Sequence, residues 1–500
     1  GPSRGAAGFP LGELPGGAVL AALELLSAAD LGRAARASRL LFVVAREAQT
    51  RPSFVTEVGA PPPKVLAKLR RSLAATPTMG FLFGTGDLNH TIGQEILSKR
   101  LPPGCEVIGA QTEQLQALVH TPGGGRSAPP DLGQPGAGAF AAPAAETKLR
   151  AVRARGQIAL QLGSFPDAEA HAFHISAHFC EALVWAGVGG GDGAKFRGAL
   201  QAALRRQGFP IGAEWTTVVL IASLRGDPEL FVEAFQHGFP GRTVIGGTAE
   251  HQLLVHSRGR TRIVEEGVVG LALKGDVPLT ALVSLGCRAL TPIFAARGVR
   301  KVMAEPDERH EAVLIPQLFA ETGDAAAPIE AVIQAQRMMQ KRTSPFVGVR
   351  FGGHGGFYLE EARQHIFQKG GAMLWPWMNT DTRAAPAGDP VNAEVRVYEL
   401  DADECRKDLQ RLFGHVREQH GQRGEQTLGA VMFTCGERGA QLFGTDYEDA
   451  LQFQTAFPHL PLAGFQACRG PRPLGPKALA EAAPAQAARA GGAQLQGSAA

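Results

Sequence analysis

Residues 217–249 read TVVLIASLRGDPELFVEAFQHGFPGRTVIGGTA, and this stretch contains the pattern that decides the fold. It opens with an apolar run, passes through a Gly/Asp-rich loop into a segment with helical spacing, and ends in a second apolar run. The helical segment places its large apolar side chains on one face, through Leu230, Phe231, Ala234 and Phe235. Two strands joined by a helix lie parallel with a right-handed crossover. The stretch therefore predicts a strand–helix–strand unit.

The same pattern occurs twice more, at residues 79–112 and 428–467. The apolar runs do not alternate with polar residues, which is typical of strands covered on both faces. Further strands with antiparallel character are predicted at 267–274, 280–285, 346–351, 372–375 and 394–400. Together these elements indicate the α/β fold class, as a mixed sheet of the α+β kind built on repeated strand–helix–strand units.

The composition is that of a folded intracellular protein. Of the 500 residues 44% are hydrophobic, and the net charge of +3 comes without any dense basic block. A nucleic-acid-binding role is therefore not expected. No apolar run approaches the roughly 20 residues that span a bilayer, so a membrane role is not expected either. The six cysteines lie far apart and form no Cys-x-x-Cys pair, which favours a reduced compartment, cytoplasmic or nuclear.

Segments rich in Gly, Ala and Pro divide the chain. Residues 121–147 predict a flexible insertion and 477–500 a disordered tail, since both lack the bulky apolar side chains that would offset ordering entropy. The predicted domains are a small helical one at 8–52, a first sheet-containing part at 76–300, and a second at 301–476.

The N-terminal stretch predicts three short helices within residues 14–49. Val19, Leu20, Leu23 and Leu26 recur at helical spacing, and Ser27 and Ser38 can cap the second and third helices. Helices of this size bury too little surface to be stable alone. A remaining apolar face would therefore bind a partner.

This stretch resembles the F-box. The residues that carry the resemblance are Leu14-Pro15, Leu23, Leu26, Asp30-Leu31 and Ala37-Ser38-Arg39. The chain departs from the motif at Gly16-Gly17, which weakens the first helical turn, and at Leu41, where the family usually has Trp. The resemblance implies a three-helix F-box that binds Skp1 through Leu14, Pro15, Leu23, Leu26, Leu31, Ser38 and Leu41. The alternative is an ordinary set of amphipathic helices packed on the chain's own domain.

A ligand site is predicted where the parallel strands end, because ligands of open parallel sheets bind at the carboxyl ends of the strands. The residues proposed for it are Gly86, Gly246, Gly247, Cys435 and Arg438. Glycines let backbone N–H groups approach a ligand, and an arginine can hold a carboxylate through two parallel bonds. The hypothetical ligand is a small anionic or amino-acid-like metabolite. The alternative is that these glycines only form tight turns and that Arg438 pairs with a local acid.

The larger part of the chain resembles the FIST domain, a sensory domain with N- and C-terminal parts that also occurs behind an F-box. The resemblance spans about residues 77–476 and rests on marks at 244–247, 267–273, 286–288, 429–439 and 457–465. It implies FIST N-terminal and C-terminal parts for the two sheet-containing regions. After the final Gly464-Phe465 the chain has Gln466, where the family usually continues Gly-Glu-Ile.

Catalytic and metal chemistry is weakly supported. His171, His174 and His178 have helical spacing, yet Ala170–Ile175 alternates like a strand, so no metal site is expected. Cys435 lies in a Gly-rich turn near Arg438, but no local residue offers the base that a nucleophilic thiol needs. No cofactor and no catalytic residue are predicted.

The two resemblances together imply a non-catalytic adaptor of a Skp1–cullin ubiquitin ligase. The FIST region would recruit the protein substrate, with a small ligand as a regulator. A stand-alone metabolite sensor and a thiol-dependent enzyme using Cys435 are the alternatives from other classes.

Overall fold

A computed structural model gives the three-dimensional structure of the chain. It describes residues 52–73, 75–88, 92, 97–120, 147–152, 155–178, 201–202, 205, 215–223, 243–275, 277, 279–305, 308–315, 317–319, 345–351, 357–361, 372–374, 391–466 and 478–479. The chain divides into two compact units. The first contains Gly1–Leu282 and Leu409–Gly475, and the second contains Val283–Asp408 and Pro476–Ala500.

The elements have the following bounds. In chain order the strands are β1 (Ser53–Gly59), β2 (Met79–Thr85), β3 (Glu106–Thr112), β4 (Gln114–His120), β5 (Thr147–Val152), β6 (Ile158–Ser164), β7 (Ala168–Ile175), β8 (Trp215–Ser223), β9 (Thr243–Ala249), β10 (Leu253–Ser257), β11 (Arg260–Val264), β12 (Val268–Gly275), β13 (Cys287–Ala289), β14 (Phe294–Glu305), β15 (Glu308–Ile315), β16 (Gln317–Phe319), β17 (Phe346–Phe351), β18 (Phe357–Glu361), β19 (Ala372–Leu374), β20 (Val391–Leu400), β21 (Ala430–Thr434), β22 (Leu462–Gln466) and β23 (Ala478–Leu479). The helices are α1 (Pro62–Ser72), α2 (Ala402–Arg423), α3 (Ala440–Phe443) and α4 (Glu448–Ala456), and a 3₁₀ turn covers Gly436–Arg438.

The described residues of the first unit form three mixed sheets. Their strand orders are β1-β6-β2-β3-β10-β11, β7-β12-β8-β9 and β21-β22-β4-β5. Each sheet contains one parallel pair, β2–β3, β8–β9 and β21–β22, and the other neighbours are antiparallel. The three parallel pairs are the strands of the three repeated units in the sequence, so the predicted parallel pairing is confirmed. The helical segment predicted through Leu230, Phe231, Ala234 and Phe235 lies outside the described residues.

The sheets share one apolar core. Phe83 from β2, Ile221 from β8 and Phe465 from β22 all belong to it and are at most 1% exposed. The last of these is distant in sequence, yet its ring lies 5.1 Å from that of Phe83. Burying a Phe side chain contributes about 1.5–3 kcal/mol. The C-terminal strands are therefore part of the core of the first unit.

Helices cover one face of the first sheet and one face of the third. α1 begins with Pro62 at its first turn and ends in Arg70 and Arg71, both of which suit a helix terminus. Its buried face packs on β1 and β6 through Val65, Leu66 and Leu69. α2 starts where the Asp401 carboxylate accepts the N–H groups of Asp403 and Glu404, at 3.0 and 3.1 Å. Phe413 of α2 packs against Phe453 of α4 over the third sheet.

The second unit contains one larger sheet with the strand order β19-β15-β14-β20-β17-β18-β23. Its strands pair antiparallel, as predicted for 346–351, 372–375 and 394–400. Phe357, Leu359 and Tyr398 form a small core on one face. The two residues of β23 pair with β18, so this part of the predicted disordered tail is a strand.

The mixed α/β class is confirmed, but one predicted strand is wrong. Residues 280–285 were expected to form a hairpin with β12, whereas they have no regular structure. Their polar groups bind side chains instead of a neighbouring strand, since Thr280 contacts His420 at 3.3 Å and Leu285 donates its N–H to Asp408. β12 pairs on both sides with β7 and β8.

Several predictions fall on residues that the structure does not describe. The three-helix F-box and its Skp1-binding residues lie outside the described residues, as does the insertion at 121–146. The domain boundaries at 76–300 and 301–476 stay predictions. Within the described part of the chain, no helix has the length and apolar character needed to cross a membrane.

Candidate ligand-binding site

The carboxyl ends of five strands meet at one edge of the first unit, which we call the strand-end rim. It consists of the ends of β2, β3, β9, β21 and β22 with the residues that follow them. The Thr112 hydroxyl at the end of β3 donates to the Gln466 carbonyl at the end of β22, at 3.3 Å. The Leu88 N–H after β2 donates to the Gln252 side chain after β9, at 2.9 Å. The repeated units thus deliver their strand ends to a common place.

Gly86 lies on this rim directly after β2. Its φ of +103° is in the region that only glycine adopts easily, so a side chain here would strain the turn. The next residues lead to the Leu88–Gln252 bond, which holds this turn against the turn that follows β9. The predicted ligand-binding role of Gly86 stays a prediction.

Gly246 and Gly247 are needed for packing. A Cβ on Gly246 would lie 1.9 Å from the Leu220 carbonyl oxygen in the neighbouring strand β8. A Cβ on Gly247 would lie 2.9 Å from the Cβ of Phe433 in β21. The second glycine therefore brings β9 and β21 close together, which helps to assemble the rim. Any contact of these two glycines with a ligand stays a prediction.

Arg438 is buried and makes a two-bond ion pair inside the protein. Its Nε and Nη2 donate to the two carboxylate oxygens of Asp449 at 3.0 and 2.8 Å, and both side chains are about nine-tenths buried or more. The sequence predicts two parallel bonds from Arg438 to the carboxylate of a ligand. In the structure the carboxylate of Asp449 in α4 accepts these two bonds. The local-acid alternative for Arg438 is therefore present in the structure. Half-buried Cys435 caps the 3₁₀ turn, accepting the Arg438 N–H at 2.9 Å.

A buried group of polar side chains lies beneath this turn, on the helix-covered face of the third sheet. We call Gln114, Gln116, Thr434 and Gln466 the amide cluster. Both β4 glutamines donate to the carbonyl of Asp446, at 3.3 and 2.7 Å, and Gln116 also donates to Thr434 at 3.4 Å. Gln466 donates to the Gly436 carbonyl at 3.5 Å.

One acceptor in the amide cluster has no partner. Gln116 is 1% exposed, and its Oε1 makes no hydrogen bond to any residue that the structure describes. Its Nε2 donates to one carbonyl oxygen, that of Asp446, and to one hydroxyl oxygen, that of Thr434. Exchanging the amide's oxygen and nitrogen by rotation would break both bonds. A buried acceptor left unpaired costs about 1–3 kcal/mol. A bound group with an N–H or O–H donor would remove that cost.

Gln114 and Gln116 were not predicted to be functional residues, whereas Gln466 already stood out as a departure from the FIST pattern. The signal in the sequence is their alternation in QLQALVH, where Gln114 and Gln116 share one strand face that also carries Leu118. Polar residues at a two-residue spacing next to a buried position indicate that this face meets other polar groups. Their partners, Thr434 in β21 and the carbonyl of Asp446 just before α4, are more than 300 residues away in the chain.

Negative charge also lies on the rim. Glu113 after β3 and Glu250 and His251 after β9 place three ligand atoms within 4.8 Å of one another. Two carboxylates and an imidazole suit a cation, but Glu113 and His251 are exposed, and exposed acidic groups commonly occur without a metal. With Arg438 neutralised by Asp449, these carboxylates disfavour a simple anion at the rim.

The histidines singled out in the sequence that the structure describes lie on a strand and a helix. His171 and His174 lie in β7, three residues apart and so on opposite faces, which confirms the strand interpretation. His174 contacts the Glu266 carbonyl at 3.2 Å, and burial lowers its pKa. His415 and His420 lie in helix α2.

Comparison with known families identifies the central part of the chain. Residues 78–303 match the family model of the FIST N domain. This part of the chain is a FIST N domain. No curated protein matches the chain. The FIST N domain contributes β2, β3 and β9 to the rim, whereas β21 and β22 lie beyond its matched residues. The predicted FIST C-terminal part and the F-box stay predictions.

Proposed function

We propose that this protein is the substrate-recognition adaptor of a ubiquitin ligase of the Skp1–cullin–F-box type. The observation that carries the proposal is the order of parts: Leu14-Pro15, Leu23, Leu26 and Asp30-Leu31 fit an F-box, and a FIST N domain follows at 78–303. The N-terminal helices would bind Skp1 and, through it, a cullin. The FIST region would recruit the protein substrate.

The adaptor itself would catalyse nothing. Holding a substrate near a charged ubiquitin-conjugating enzyme raises the effective concentration of its lysines, which alone accelerates transfer. Such a role requires two separate surfaces on one chain, one for Skp1 and one for the substrate. It implies a cytoplasmic or nuclear location, where these ligases act.

Co-purification with Skp1 tests the docking helices. The intact chain should retain Skp1 at a 1:1 ratio, and Leu23→Asp with Leu26→Asp should abolish retention, because two charges would enter an apolar interface. Leu451→Asp is a suitable control, because Leu451 is 38% exposed on α4 and is not one of the residues predicted to bind Skp1. An intact chain that leaves Skp1 in the wash, or a double variant that still retains it, would refute the adaptor role.

We also propose that the strand-end rim binds a small amino-acid-like ligand. The unpaired Oε1 of buried Gln116 supports this, because an ammonium or amide N–H would satisfy it. The carboxylates of Glu113 and Glu250 and the paired state of Arg438 favour a ligand with a cationic group over a simple anion. The unpaired Oε1 of Gln116 also supports the second candidate function, a metabolite sensor without a ligase role.

Calorimetry separates these ligand classes. The full chain should bind members of an amino-acid panel and ignore the matching carboxylic acids that lack the amino group. Gln116→Leu should weaken binding about tenfold while Gln410→Leu, an exposed glutamine on α2, should not. Equal binding of both panels, or none of either, would remove the rim as an amino-acid site.

A further inference from the structure

We propose that edge strand β11 and the turn before it bind an extended acidic segment of a protein partner. This inference rests on the proposed recruiting role of the FIST region and names the surface and the class of partner. The partner segment would add one strand to the first sheet. The observations that carry the inference are the edge position, the hairpin geometry and an exposed row of arginines.

The β10–β11 hairpin has a tight and well-defined turn. Ser257 pairs with Arg260, so the loop consists of Arg258 and Gly259, with φ of +51° and +73°. Two consecutive residues of positive φ are typical of the type I′ turn. Asn and Gly are the usual residues there, so an arginine in the first position is uncommon. The turn thus places a cationic side chain at the corner of the sheet.

The outer edge of β11 presents backbone hydrogen-bonding groups. Residues next to a two-residue turn form a hydrogen-bonded pair, and such pairs alternate along antiparallel strands. The N–H and C=O groups of Thr261 and Ile263 therefore face away from β10. Among the described strands β11 is the last of its sheet, so these groups form a template for an added strand.

Side-chain contacts hold this edge in place. The Thr261 hydroxyl is buried and lies 2.7 Å from Nδ1 of His256 in β10 and 3.3 Å from the Ser98 hydroxyl. Ile263 packs against the apolar cluster on the same face. An edge fixed in this way loses little conformational entropy when a partner strand binds.

The charge at this edge selects an acidic partner. Arg258, Arg260 and Arg262 are exposed, and none of them forms an ion pair with another described residue. The exposed Lys99 and Arg100 follow Ser98, which contacts the strand. Acidic side chains at alternating positions of an added strand would lie beside Arg260 and Arg262 on one face. Glu265 and Glu266 follow the end of β11 that lies away from the turn, and they would repel acidic side chains there. The acidic residues of the partner segment should therefore lie near the turn.

Charged residues on an edge can also serve only to prevent self-association. The two roles differ in a measurable way, because a protective edge rejects all strands and a docking edge accepts acidic ones. Fluorescence anisotropy with the full chain measures this. The probe is a labelled ten-residue peptide of alternating Glu and Thr, and the matched control peptide alternates Lys and Thr.

The acidic peptide should bind saturably and the basic peptide should not. Arg260→Glu with Arg262→Glu should raise the Kd about tenfold or more, whereas Arg70→Glu with Arg71→Glu on helix α1 makes the same charge change and should leave it unaltered. Two N-methylated probes test the backbone pairing. Methylation on only one of the two alternating residue sets should weaken binding, because only one set faces β11.

Each outcome decides the inference. Absence of saturable binding, equal binding of both peptides, or equal loss from the two arginine pairs would overturn it. Equal tolerance of both N-methylated probes would overturn the strand-addition mode. Skp1 retention is measured on the same preparation: peptide binding without Skp1 retention refutes the adaptor role alone, and the reverse result refutes the docking edge alone.

Discussion

At the scale of single residues, the buried pair Arg438–Asp449 shows how one ion pair organises a loop. Asp449 lies in the first turn of α4, and its buried carboxylate accepts both parallel bonds from the arginine. The 3₁₀ turn that carries Arg438 also covers the amide cluster, through the Gly436 carbonyl that Gln466 contacts. Loss of this pair would therefore disturb the rim even without any ligand.

We predict that Arg438→Met lowers the free energy of unfolding by about 3–5 kcal/mol, because it leaves the buried Asp449 carboxylate without a partner. Arg438→Met with Asp449→Leu should recover most of the loss, since it removes both charges. Urea denaturation of the three proteins measures this. A double variant as unstable as the single one would show that the pair's charges do not govern this site.

We also predict acid sensitivity at His256. Burial lowers its pKa, although nearby Glu106 partly opposes the shift. The folded protein therefore holds a neutral imidazole while the unfolded chain takes up a proton below about pH 6.5. Stability should be full above that pH and fall as the pH decreases toward the folded pKa, by up to about 1.4 kcal/mol per pH unit.

His256→Gln tests this sign. The amide can still bind the Thr261 hydroxyl but does not titrate, so the slope of unfolding free energy between pH 7 and pH 5 should shrink. Gln410→Leu, at an exposed position of α2, changes no titrating group and should leave the slope unchanged. A slope unaffected by the first substitution would place the acid sensitivity elsewhere.

At the scale of elements, the sequence was informative about strands and less so about the glycines between them. The parallel pairs β2–β3, β8–β9 and β21–β22 could be predicted because non-alternating apolar runs and a helical segment are local signals. The glycines at 246 and 247 have the same appearance whether they approach a ligand or a neighbouring strand. Only the distances to Leu220 and Phe433 show the packing role.

Long-range pairing explains what the sequence could not give. Gln116 finds its acceptors at Thr434 and Asp446, and no local pattern in β4 names those partners. The predicted strand at 280–285 has suitable apolar residues but no free edge to join, because β7 and β8 occupy both sides of β12. Strand propensity alone therefore overestimated this segment.

The packing role of Gly246 leads to a test at this scale. Gly246→Ala should lower the free energy of unfolding by about 2 kcal/mol or more, since its Cβ would overlap the Leu220 carbonyl and push β8 and β9 apart. Gly414→Ala, in helix α2 with no atom near its Cβ, should stabilise the protein by about 0.5–1 kcal/mol. Thermal unfolding of both variants measures this difference. A Gly246→Ala protein as stable as the Gly414→Ala protein would contradict the packing role of Gly246.

At the scale of the whole molecule, the first unit is built from distant parts of the chain. Strands β21 and β22 complete the sheet that begins with β4 of the FIST N domain. Phe433 and Phe465 place their rings beside Phe83 in the same core. The FIST N domain therefore depends on residues more than a hundred positions beyond its own end.

A truncation examines this dependence. A chain that ends at Gly429 lacks both strands and should lose cooperative thermal unfolding and bind a dye specific for exposed apolar surface. A chain that ends at Ala480 keeps every strand described here and should unfold like the full protein. A cooperative transition at an unchanged Tm in the shorter chain would contradict the shared core.

The adaptor role is tested most directly by ubiquitin transfer in a reconstituted ligase with the chain itself as the acceptor. Bound through Skp1, the chain would hold its own lysines at high effective concentration near the conjugating enzyme. We predict ubiquitin attachment to the chain that requires Skp1 and disappears in the variant with Leu23→Asp and Leu26→Asp. Ubiquitin attachment that is equal with and without Skp1, or that is absent under both conditions, would contradict the proposed function.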